Sequence, residues 1–502
     1  MLSNQISAMK QFLIFYLLIM VCPLTAQTLH ENFGGGLLFE DETYEQLPRQ
    51  SPEDGSKADL PVSVDLTPFC PEVRHQGYIF SCVGWAAGYG ALSIQRAILN
   101  KCTDKQIITR NANSALFLYN QIKPEDCDNG SRISDALNFL NKNGDCLARQ
   151  FDFDVNNCSA LPDSSISSHA KRFAIDDYLT LFSAKEKSEA KIRRVKVALV
   201  KNKPVIIGMS LLRNFYELKN AQYWHPSLGN TAPAGGHALV VVGYDDYKGA
   251  FRLMNSWGKN WGDNGYIWVK YKDFGDFCKY GYVLYLFGHE ANEETEAIST
   301  VNSSGKPLLQ LSGRFRFRYL NGWLEQTGQP IFDTASVVSQ GMVYQLQKKD
   351  WEQGQLFQLL AQTLRDEEYL YVFSIDAKRK VHFHWPRQHE LNDKFEGMNE
   401  SALILHNGEV IIPGASKALK IVESGTDRLV ILYSKKKIET VGQLAERLCA
   451  DPENLAHNLV KTLGKYAVPQ TDIDYTRNQI GFSAASRADG YIVPIILEVS
   501  AK

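Results

Sequence analysis

The spacing of apolar positions changes along the middle of the chain from a helical pattern to a strand pattern. Within residues 61–288, helical spacing in Cys82–Leu99 and Ile133–Leu140 gives way to short β-rich apolar runs at Pro204–Gly208 and Ala238–Gly243. Helices early and strands late in one segment predict an α+β domain of two lobes.

Three further regions flank this domain. Residues 27–60 are rich in glycine and charge, which predicts an extended arm, and residues 289–305 are acidic and Ser/Asn-rich without apolar periodicity, which predicts a linker. Residues 306–502 carry short apolar runs bounded by turn residues, with a helical patch at 441–463. We expect this part to be a mainly β accessory domain, an open sandwich or barrel with one or two helices. Its strand-like runs are Tyr369–Ser374, Val381–Trp385, Ala402–Leu405, Glu409–Ile412, Arg428–Tyr433 and Ile492–Val499.

The N-terminus has the pattern of a secretory signal peptide. Lys10 precedes an unbroken apolar run from Phe12 to Cys22, which is too short to cross a bilayer. We expect residues 1–26 to be removed by cleavage after Ala26, leaving a secreted chain, extracellular or periplasmic, without an integral membrane segment. Lipid attachment at Cys22 is the less favoured alternative, because the preceding Val21 is larger than such processing usually accepts.

Charge and cysteine content narrow the class of protein. The 54 basic and 56 acidic residues give a net charge of -2, so no long-range field attracts nucleic acid. Without a CxxC pair, the cysteines of an exported protein indicate disulfides rather than zinc. If Cys82 and Cys449 stay free, the other six allow about 15 pairings, among which the sequence does not choose. Signal removal leaves Cys70, Cys82, Cys102, Cys127, Cys146, Cys158, Cys278 and Cys449.

Three separated residues have the chemistry of a nucleophilic site. Cys82 stands where a helix should begin, and the helix dipole there favours thiolate, although a lone cysteine is more often a core residue. His237 follows two glycines at the start of a strand, where a histidine is more often simply hydrogen-bonded. Asn255 ends the next apolar run and could accept a hydrogen bond from one ring nitrogen of His237, with Trp257 shielding that bond from water.

Together these residues resemble the papain-like cysteine proteases, in particular bacterial secreted members. Gln76 stands six places before Cys82 and matches the oxyanion-hole glutamine of that family, while His237 matches the base and Asn255-Ser-Trp-Gly matches the orienting asparagine with its tryptophan. The chain order agrees. The resemblance covers residues 60–288 and implies a helical lobe packed on a β-barrel lobe.

The resemblance also implies a mechanism and substrate contacts. Cys82 and His237 would form a thiolate–imidazolium pair, and the thiolate would attack a peptide carbonyl to give a thioester acyl-enzyme. Gln76 and the Cys82 backbone N–H would stabilise the oxyanion. Gly130, Gly236 and Trp257 would contact substrate. Proteins or peptides would be the substrates, and no metal or organic cofactor is needed.

Two departures from the family pattern stand out. Ile79 and Val83 occupy positions where the family has a cysteine and an aromatic residue, so packing rather than the usual disulfide must hold the loop before Cys82. The arm is also far shorter than the helical inhibitory prosegment of the family. Control by folding, by the arm or by the second domain is therefore expected instead.

Other functions use the same residues. An acyl transferase or amidase would share the acyl-enzyme, and a binding protein with a relic site would retain part of it. In residues 306–502, His382 and His384 face the same side of a strand, which suits a metal, but no third ligand is identifiable and we expect no metal site. The role of this domain stays open; a cell-surface partner is one option.

Overall fold

The computed structural model describes residues 35–51, 59–151, 154–287, 308–363, 367–395, 398–404 and 409–502. The expected signal peptide and linker lie outside these ranges. Within them, no helix combines the length and the apolar character needed to cross a bilayer. Below, "the arm" means residues 35–51, which contain a short helix and are therefore not extended throughout, as the sequence had suggested.

The order of secondary structure elements follows the prediction of helices early and strands late in the first domain. The helices are α1 (Asp41–Gln46), α2 (Cys82–Gly84), which continues as a π-helix (Trp85–Leu92) into α3 (Ser93–Leu99), α4 (Lys105–Arg110), α5 (Ala115–Ile122), α6 (Ile133–Asn143), α7 (Ser164–Ala170), α8 (Ser188–Val200), α9 (Arg213–Tyr216), α10 (Tyr271–Phe277), α11 (Val441–Leu448) and α12 (Leu455–Leu463). The first eight strands are β1 (Ser63–Asp65), β2 (Asp177–Thr180), β3 (Val205–Leu212), β4 (Tyr223–Trp224), β5 (Pro233–Asp245), β6 (Ala250–Met254), β7 (Tyr266–Lys270) and β8 (Cys278–Tyr285).

One sheet holds these eight strands together. Its order is β2-β8-β3-β5-β6-β7-β4, and β1 pairs antiparallel with β5. The helix that begins at Cys82 packs closely between α5 and this sheet, because its glycines leave room for neighbouring backbone and side chains. A Cβ on Gly84 would lie 2.4 Å from the Ala115 carbonyl oxygen, and one on Gly90 would lie 2.8 Å from Val240. This close contact brings Cys82 up to strand β5.

The C-terminal part is a second, β-rich domain, so the predicted mixture of α and β structure with an additional β domain is confirmed. This part contains two seven-stranded sheets. One has the order β17-β13-β9-β21-β20, with β10 also pairing with β9 and β18 with β13; the other has the order β11-β12-β22-β19-β14-β15, with β16 also pairing with β14. An apolar core lies between them, while α11 and α12 contribute to a separate cluster. The strands are β9 (Leu309–Trp323), β10 (Pro330–Thr334), β11 (Val337–Gln340), β12 (Val343–Leu346), β13 (Leu356–Thr363), β14 (Glu368–Ile375), β15 (Val381–Trp385), β16 (Leu403–Ile404), β17 (Glu409–Ile412), β18 (Leu419–Lys420), β19 (Gly425–Ser434), β20 (Ile473–Tyr475), β21 (Ile480–Ser486) and β22 (Ile492–Ala501).

The two domains share buried contacts. One apolar cluster runs without a break from the first domain to α11 and α12. The buried Tyr369 hydroxyl donates to the Asp177 carboxylate at 2.9 Å, and Lys203 pairs with Glu367 at 2.7 Å. The buried apolar contact orients the domains, and the polar contacts satisfy groups that burial would otherwise leave unpaired.

One disulfide joins Cys127 to Cys158. It ties together two loops that also contact the approach to Cys82, since Phe80 N–H donates to the Cys127 carbonyl at 3.1 Å and Tyr78 N–H donates to Asn156 at 2.8 Å. The expected presence of a disulfide is confirmed for this pair, whereas the other four of the six cysteines considered for pairing have free thiols. Among the residues that the structure describes, the free cysteines are Cys70, Cys82, Cys102, Cys146, Cys278 and Cys449.

Removal of this disulfide should destabilise the first domain. Its cysteines are 31 residues apart. A crosslink of that span lowers the conformational entropy of the unfolded chain and so adds about 3 to 4 kcal/mol to the free energy of unfolding. We expect the double variant Cys127→Ser, Cys158→Ser to unfold at lower urea concentration than the parent, followed by tryptophan fluorescence. Cys449→Ser, which removes a free thiol in the other domain, is the control. Equal midpoints for the double variant and the parent would contradict this expectation.

Candidate active site

Cys82 is the first residue of helix α2 and is completely buried. Burial raises the pKa of its thiol to about 12, whereas the backbone amides of Ala238, Val83 and Cys82 itself act in the opposite direction. The amide of Ala238 belongs to the residue directly after His237 on β5. The helix start and the strand therefore place the thiol beside the candidate base.

His237 is held by a hydrogen bond to Asn255. The distance from its Nε2 to Asn255 Oδ1 is 2.8 Å, and both side chains are buried. Because an amide oxygen only accepts, Nε2 carries the proton of the neutral ring and Nδ1 keeps its lone pair. Nδ1 is buried and has no hydrogen-bond partner among the described residues. This ring nitrogen is therefore the one available to accept a proton from Cys82.

Trp257 covers the ring of His237. The two rings stack with centroids 4.4 Å apart, and Tyr216 stacks on Trp257 at 4.7 Å. Asn255 is fixed from the other direction, because its backbone N–H donates to the Gly265 carbonyl at 3.0 Å. These contacts exclude water from the bond between His237 and Asn255, which strengthens it.

Gln76 is anchored beside Asn255. Its backbone N–H donates to the Ser256 carbonyl at 2.8 Å, and its side-chain oxygen accepts from Ser256 Oγ at 2.7 Å. Its Nε2 donates to the Ile79 carbonyl at 3.1 Å. These bonds orient the amide of Gln76 with its donor group toward the loop that leads into Cys82. The four predicted residues, Gln76, Cys82, His237 and Asn255, thus come together in one place.

The arm lies across a cleft that has Ser131 on one wall and Gly236 on the other. Ser131 N–H donates to the Gly36 carbonyl at 2.8 Å, and Leu38 N–H donates to the Ser131 carbonyl at 3.1 Å, so Leu37 forms a parallel bridge with Ser131. On the opposite wall, Leu37 N–H donates to the Gly236 carbonyl at 3.3 Å. A stretch of this chain's own backbone therefore spans both walls of the cleft.

Glycines make this close approach possible. Gly36 has φ +112°, and a Cβ there would lie 2.2 Å from the Phe80 carbonyl oxygen. A Cβ on Gly130 would lie 2.0 Å from the Gly36 carbonyl oxygen, and one on Gly236 would lie 2.7 Å from the Leu37 carbonyl oxygen. Gly130 and Gly236, which are predicted to contact substrate, contact the arm in this structure.

Two arm side chains fill the cleft beyond this point. Leu37 is 5% exposed and lies against Gly208, where a Cβ would be 2.8 Å from Leu37 Cδ2. The carboxylate of Glu40 accepts hydrogen bonds from Ser134 N–H at 3.1 Å, from the Ser134 hydroxyl, and from the Tyr282 hydroxyl at 2.8 Å. Burial raises the pKa of Glu40 despite these bonds. The arm is therefore bound by an apolar and a polar side chain as well as by its backbone.

Burial also decides the charge of the candidate catalytic pair. It lowers the pKa of His237 to about 4, against which the bond to Asn255 acts only partly, and it raises that of Cys82 to about 12. Burial therefore acts against charge on both side chains, because charge is costly where water is excluded.

An open pocket of about 390 Å³ continues on the other side of Trp257. Its lining includes His75, Tyr216, Lys219 and Trp261, and none of the described arm residues contributes to it. The expected contact residue Trp257 thus separates the covered part of the cleft from an uncovered part.

Two elements of the site, Ser256 and the arm, were not predicted from the sequence. Ser256 orients Gln76 and is part of the Asn255-Ser-Trp-Gly motif, but no role was assigned to it from the sequence. The arm carried a usable signal, since Gly35 and Gly36 precede the apolar Leu37 and Leu38. In the second domain, His382 bonds Asp376 and His384 bonds Ser374, and the described residues contain no group of three metal-ligating side chains.

Solved structures that are similar to part of this chain include the following two. Xylellain, a cysteine protease from Xylella fastidiosa, is 24% identical, covers 51% of this chain and 97% of its own, and has a TM-score of 0.44. Digestive procathepsin L 3 of the Tenebrio molitor larval midgut is 20% identical, covers 49% of this chain and 77% of its own, and has a TM-score of 0.37.

Curated relatives and a family model match the first domain. An uncharacterized peptidase C1-like protein of Acanthamoeba polyphaga mimivirus is 27% identical over 170 residues, 32% of this chain and 55% of that protein. Cathepsin B of Dictyostelium discoideum is 24% identical over 220 residues, 41% of this chain and 66% of that protein. The chain thus spans between about half and two thirds of these relatives. The model described as papain family cysteine protease matches residues 60–282, which supports a domain of that family, and with it hydrolysis of peptide bonds, for this part of the chain.

Proposed function

We propose that this protein is a secreted cysteine endopeptidase that cleaves peptide bonds with Cys82, His237, Asn255 and Gln76. One observation supports this most directly: the 2.8 Å bond between His237 Nε2 and Asn255 leaves Nδ1 of the same ring buried and without a partner among the described residues. The next residue after His237, Ala238, places its backbone amide at the Cys82 thiol. A nucleophile, a base and a group that orients the base are the parts that acyl transfer through cysteine needs.

The proposed reaction has two steps. His237 Nδ1 takes the proton of the Cys82 thiol, and the sulfur attacks the carbonyl carbon of the substrate. The negative oxygen of the tetrahedral intermediate accepts hydrogen bonds from the Gln76 side-chain amide and the Cys82 backbone N–H. His237 then gives its proton to the leaving amine as the C–N bond breaks. Water, deprotonated by His237, hydrolyses the remaining thioester and restores the thiol.

Substrate takes the place of the arm in this proposal. The Ser131 and Gly236 backbone groups that now bind the arm would bind an extended peptide, and the leaving portion would enter the 390 Å³ pocket beside Trp257. The protein with the arm in its cleft is accordingly a latent form, because the arm uses the hydrogen-bonding groups that a substrate backbone needs.

Secretion is supported by two features. The apolar run Phe12–Cys22 has the length of a signal-peptide core, and the bond between Cys127 and Cys158 is of a kind that persists in oxidising compartments. We therefore place the protein outside the cytoplasm.

Substitution of the nucleophile should abolish activity. We expect Cys82→Ala to reduce hydrolysis of a casein substrate to background, because no acyl-enzyme can form, and to abolish labelling of this position by iodoacetamide. Cys102→Ser, which removes a partly exposed free thiol of the same domain, should retain activity. Hydrolysis by Cys82→Ala at the parental rate would rule out the assignment.

Removal of the orienting amide should have a smaller effect. Asn255→Ala deletes the acceptor of His237 Nε2, a bond to a group that becomes charged, and such a bond contributes about 1.5 to 3 kcal/mol. We expect kcat to fall by about 10- to 100-fold. Asn255→Asp keeps an acceptor, so it should recover most of kcat and raise the pKa of His237 in the pH–rate profile. If the Asp variant is as impaired as the Ala variant, Asn255 does not act through His237.

The arm should control the pH dependence of the thiol. Iodoacetamide reacts with thiolate, and burial raises the pKa of Cys82 to about 12, so labelling of the full chain should rise with pH without a plateau below pH 10. Glu40→Ala weakens the arm in the cleft, which admits water and lowers that pKa, so labelling should level off at lower pH. Glu42→Ala changes an exposed carboxylate in α1 and serves as the control. Superimposable profiles for Glu40→Ala and the parent would contradict this expectation.

A further inference from the structure

The distal end of the arm lies between the two domains. Arg49 forms parallel bridges with Thr180 of the protease domain and with Glu400 of the C-terminal domain. On the protease side, Thr180 N–H donates to the Pro48 carbonyl at 3.0 Å and Gln50 N–H donates to the Thr180 carbonyl at 3.0 Å. Residues 48–50 thus extend the edge of β2.

The other edge of residues 48–50 pairs with the C-terminal domain. Arg49 N–H donates to the Asn399 carbonyl at 2.7 Å, and Ser401 N–H donates to the Arg49 carbonyl at 2.9 Å. The Asn399 side-chain amide also donates to the Gln46 carbonyl at the end of α1. Below, Asn399–Ser401 is called the clamp.

The clamp has a fixed position within its own domain. The side chain of Glu400 is buried and forms a two-pronged ion pair with Arg387. Glu400 N–H donates to the Arg387 carbonyl at 3.0 Å, and Gln388 Nε2 donates to the Glu400 carbonyl at 2.7 Å. A backbone segment held in this way presents its donors and acceptors to the arm in a constant geometry.

The arm between its two ends is continuous and well anchored. Helix α1 connects the cleft end to the clamped end, and the fully buried Tyr44 donates its hydroxyl proton to the Phe182 carbonyl at 2.7 Å. Glu45 accepts from Ser183 Oγ and Ala184 N–H, both at 2.8 Å. Because α1 joins the two ends in one continuous segment, the bonds at residues 46–50 add to those that keep Leu37 in the cleft.

We propose that the clamp of the C-terminal domain holds the arm in the substrate cleft, so that this domain regulates access to Cys82. The proposal rests on the proposed function. Bonds to the clamp form when the arm is docked and are lost when it leaves, so they shift the equilibrium toward the covered site. Any displacement of the clamp relative to β2 shifts that equilibrium toward the open site.

The test uses the full chain with single changes in the clamp. Asn399→Ala removes the side-chain bond to the Gln46 carbonyl, and Ser401→Pro removes the donor to the Arg49 carbonyl. We expect about fivefold faster iodoacetamide labelling of Cys82 for each bond lost. Hydrogen exchange at residues 36–38 and at residues 46–50 should accelerate by the same factor in each variant, since both ends leave together. Asn321→Ala, which removes an exposed bond to Asp333 on the β9–β10 hairpin, is the matched control.

The variant Glu40→Ala weakens the arm at the cleft and leaves the clamp unchanged, so it distinguishes the effect of the arm on labelling from the effect of the clamp. Faster labelling in Glu40→Ala and in both clamp variants, with the control unchanged, supports the proposal. If clamp variants accelerate exchange at residues 46–50 but leave residues 36–38 and Cys82 labelling unchanged, the clamp does not govern the cleft and the proposal is overturned. If labelling accelerates in the clamp variants but no variant hydrolyses casein, the clamp stands and the proposed function fails.

Discussion

The backbone pairing of Gly36–Leu38 with Ser131 on one wall of the cleft and Gly236 on the other determines the state of this protein. A cleft that binds extended peptide must present unpaired backbone groups, and such groups are costly to bury without partners. Here the chain supplies those partners from its own N-terminal side. The glycines at positions 36, 130 and 236 let backbones approach at distances that a side chain would forbid.

The chemistry of the site follows from that closure. The bond between His237 and Asn255 fixes the tautomer whether or not the cleft is covered, so the geometry for proton transfer is already present. Charge is a different matter, because exclusion of water disfavours both thiolate and imidazolium. The sheet and the helix thus set the geometry, whereas burial acts against charge on both side chains.

The same arm joins the two domains. Its residues 48–50 form a strand between β2 and the C-terminal domain, next to an apolar cluster that continues across the boundary. Single backbone hydrogen bonds contribute only about 1 kcal/mol each, so such a junction is strong enough to bias an equilibrium and weak enough to open. This places the C-terminal domain in contact with the chain segment that covers the active site.

Local patterns in the sequence were sufficient for much of this protein. The helix that begins at Cys82, strand β5 with His237 and the turn after Asn255 each follow from a few neighbouring residues, as do β14, β15, β17, β19 and β22 of the second domain. Strand β9 was not predicted, although Phe315 and Phe317 alternate with arginines in the period of two that is typical of a strand with one buried face. The free state of four cysteines, the course of the arm and the site of its clamp were decided by tertiary structure alone. Each depends on which distant segments meet, as when Leu37 meets Ser131 and Gly236, and no local periodicity encodes that pairing.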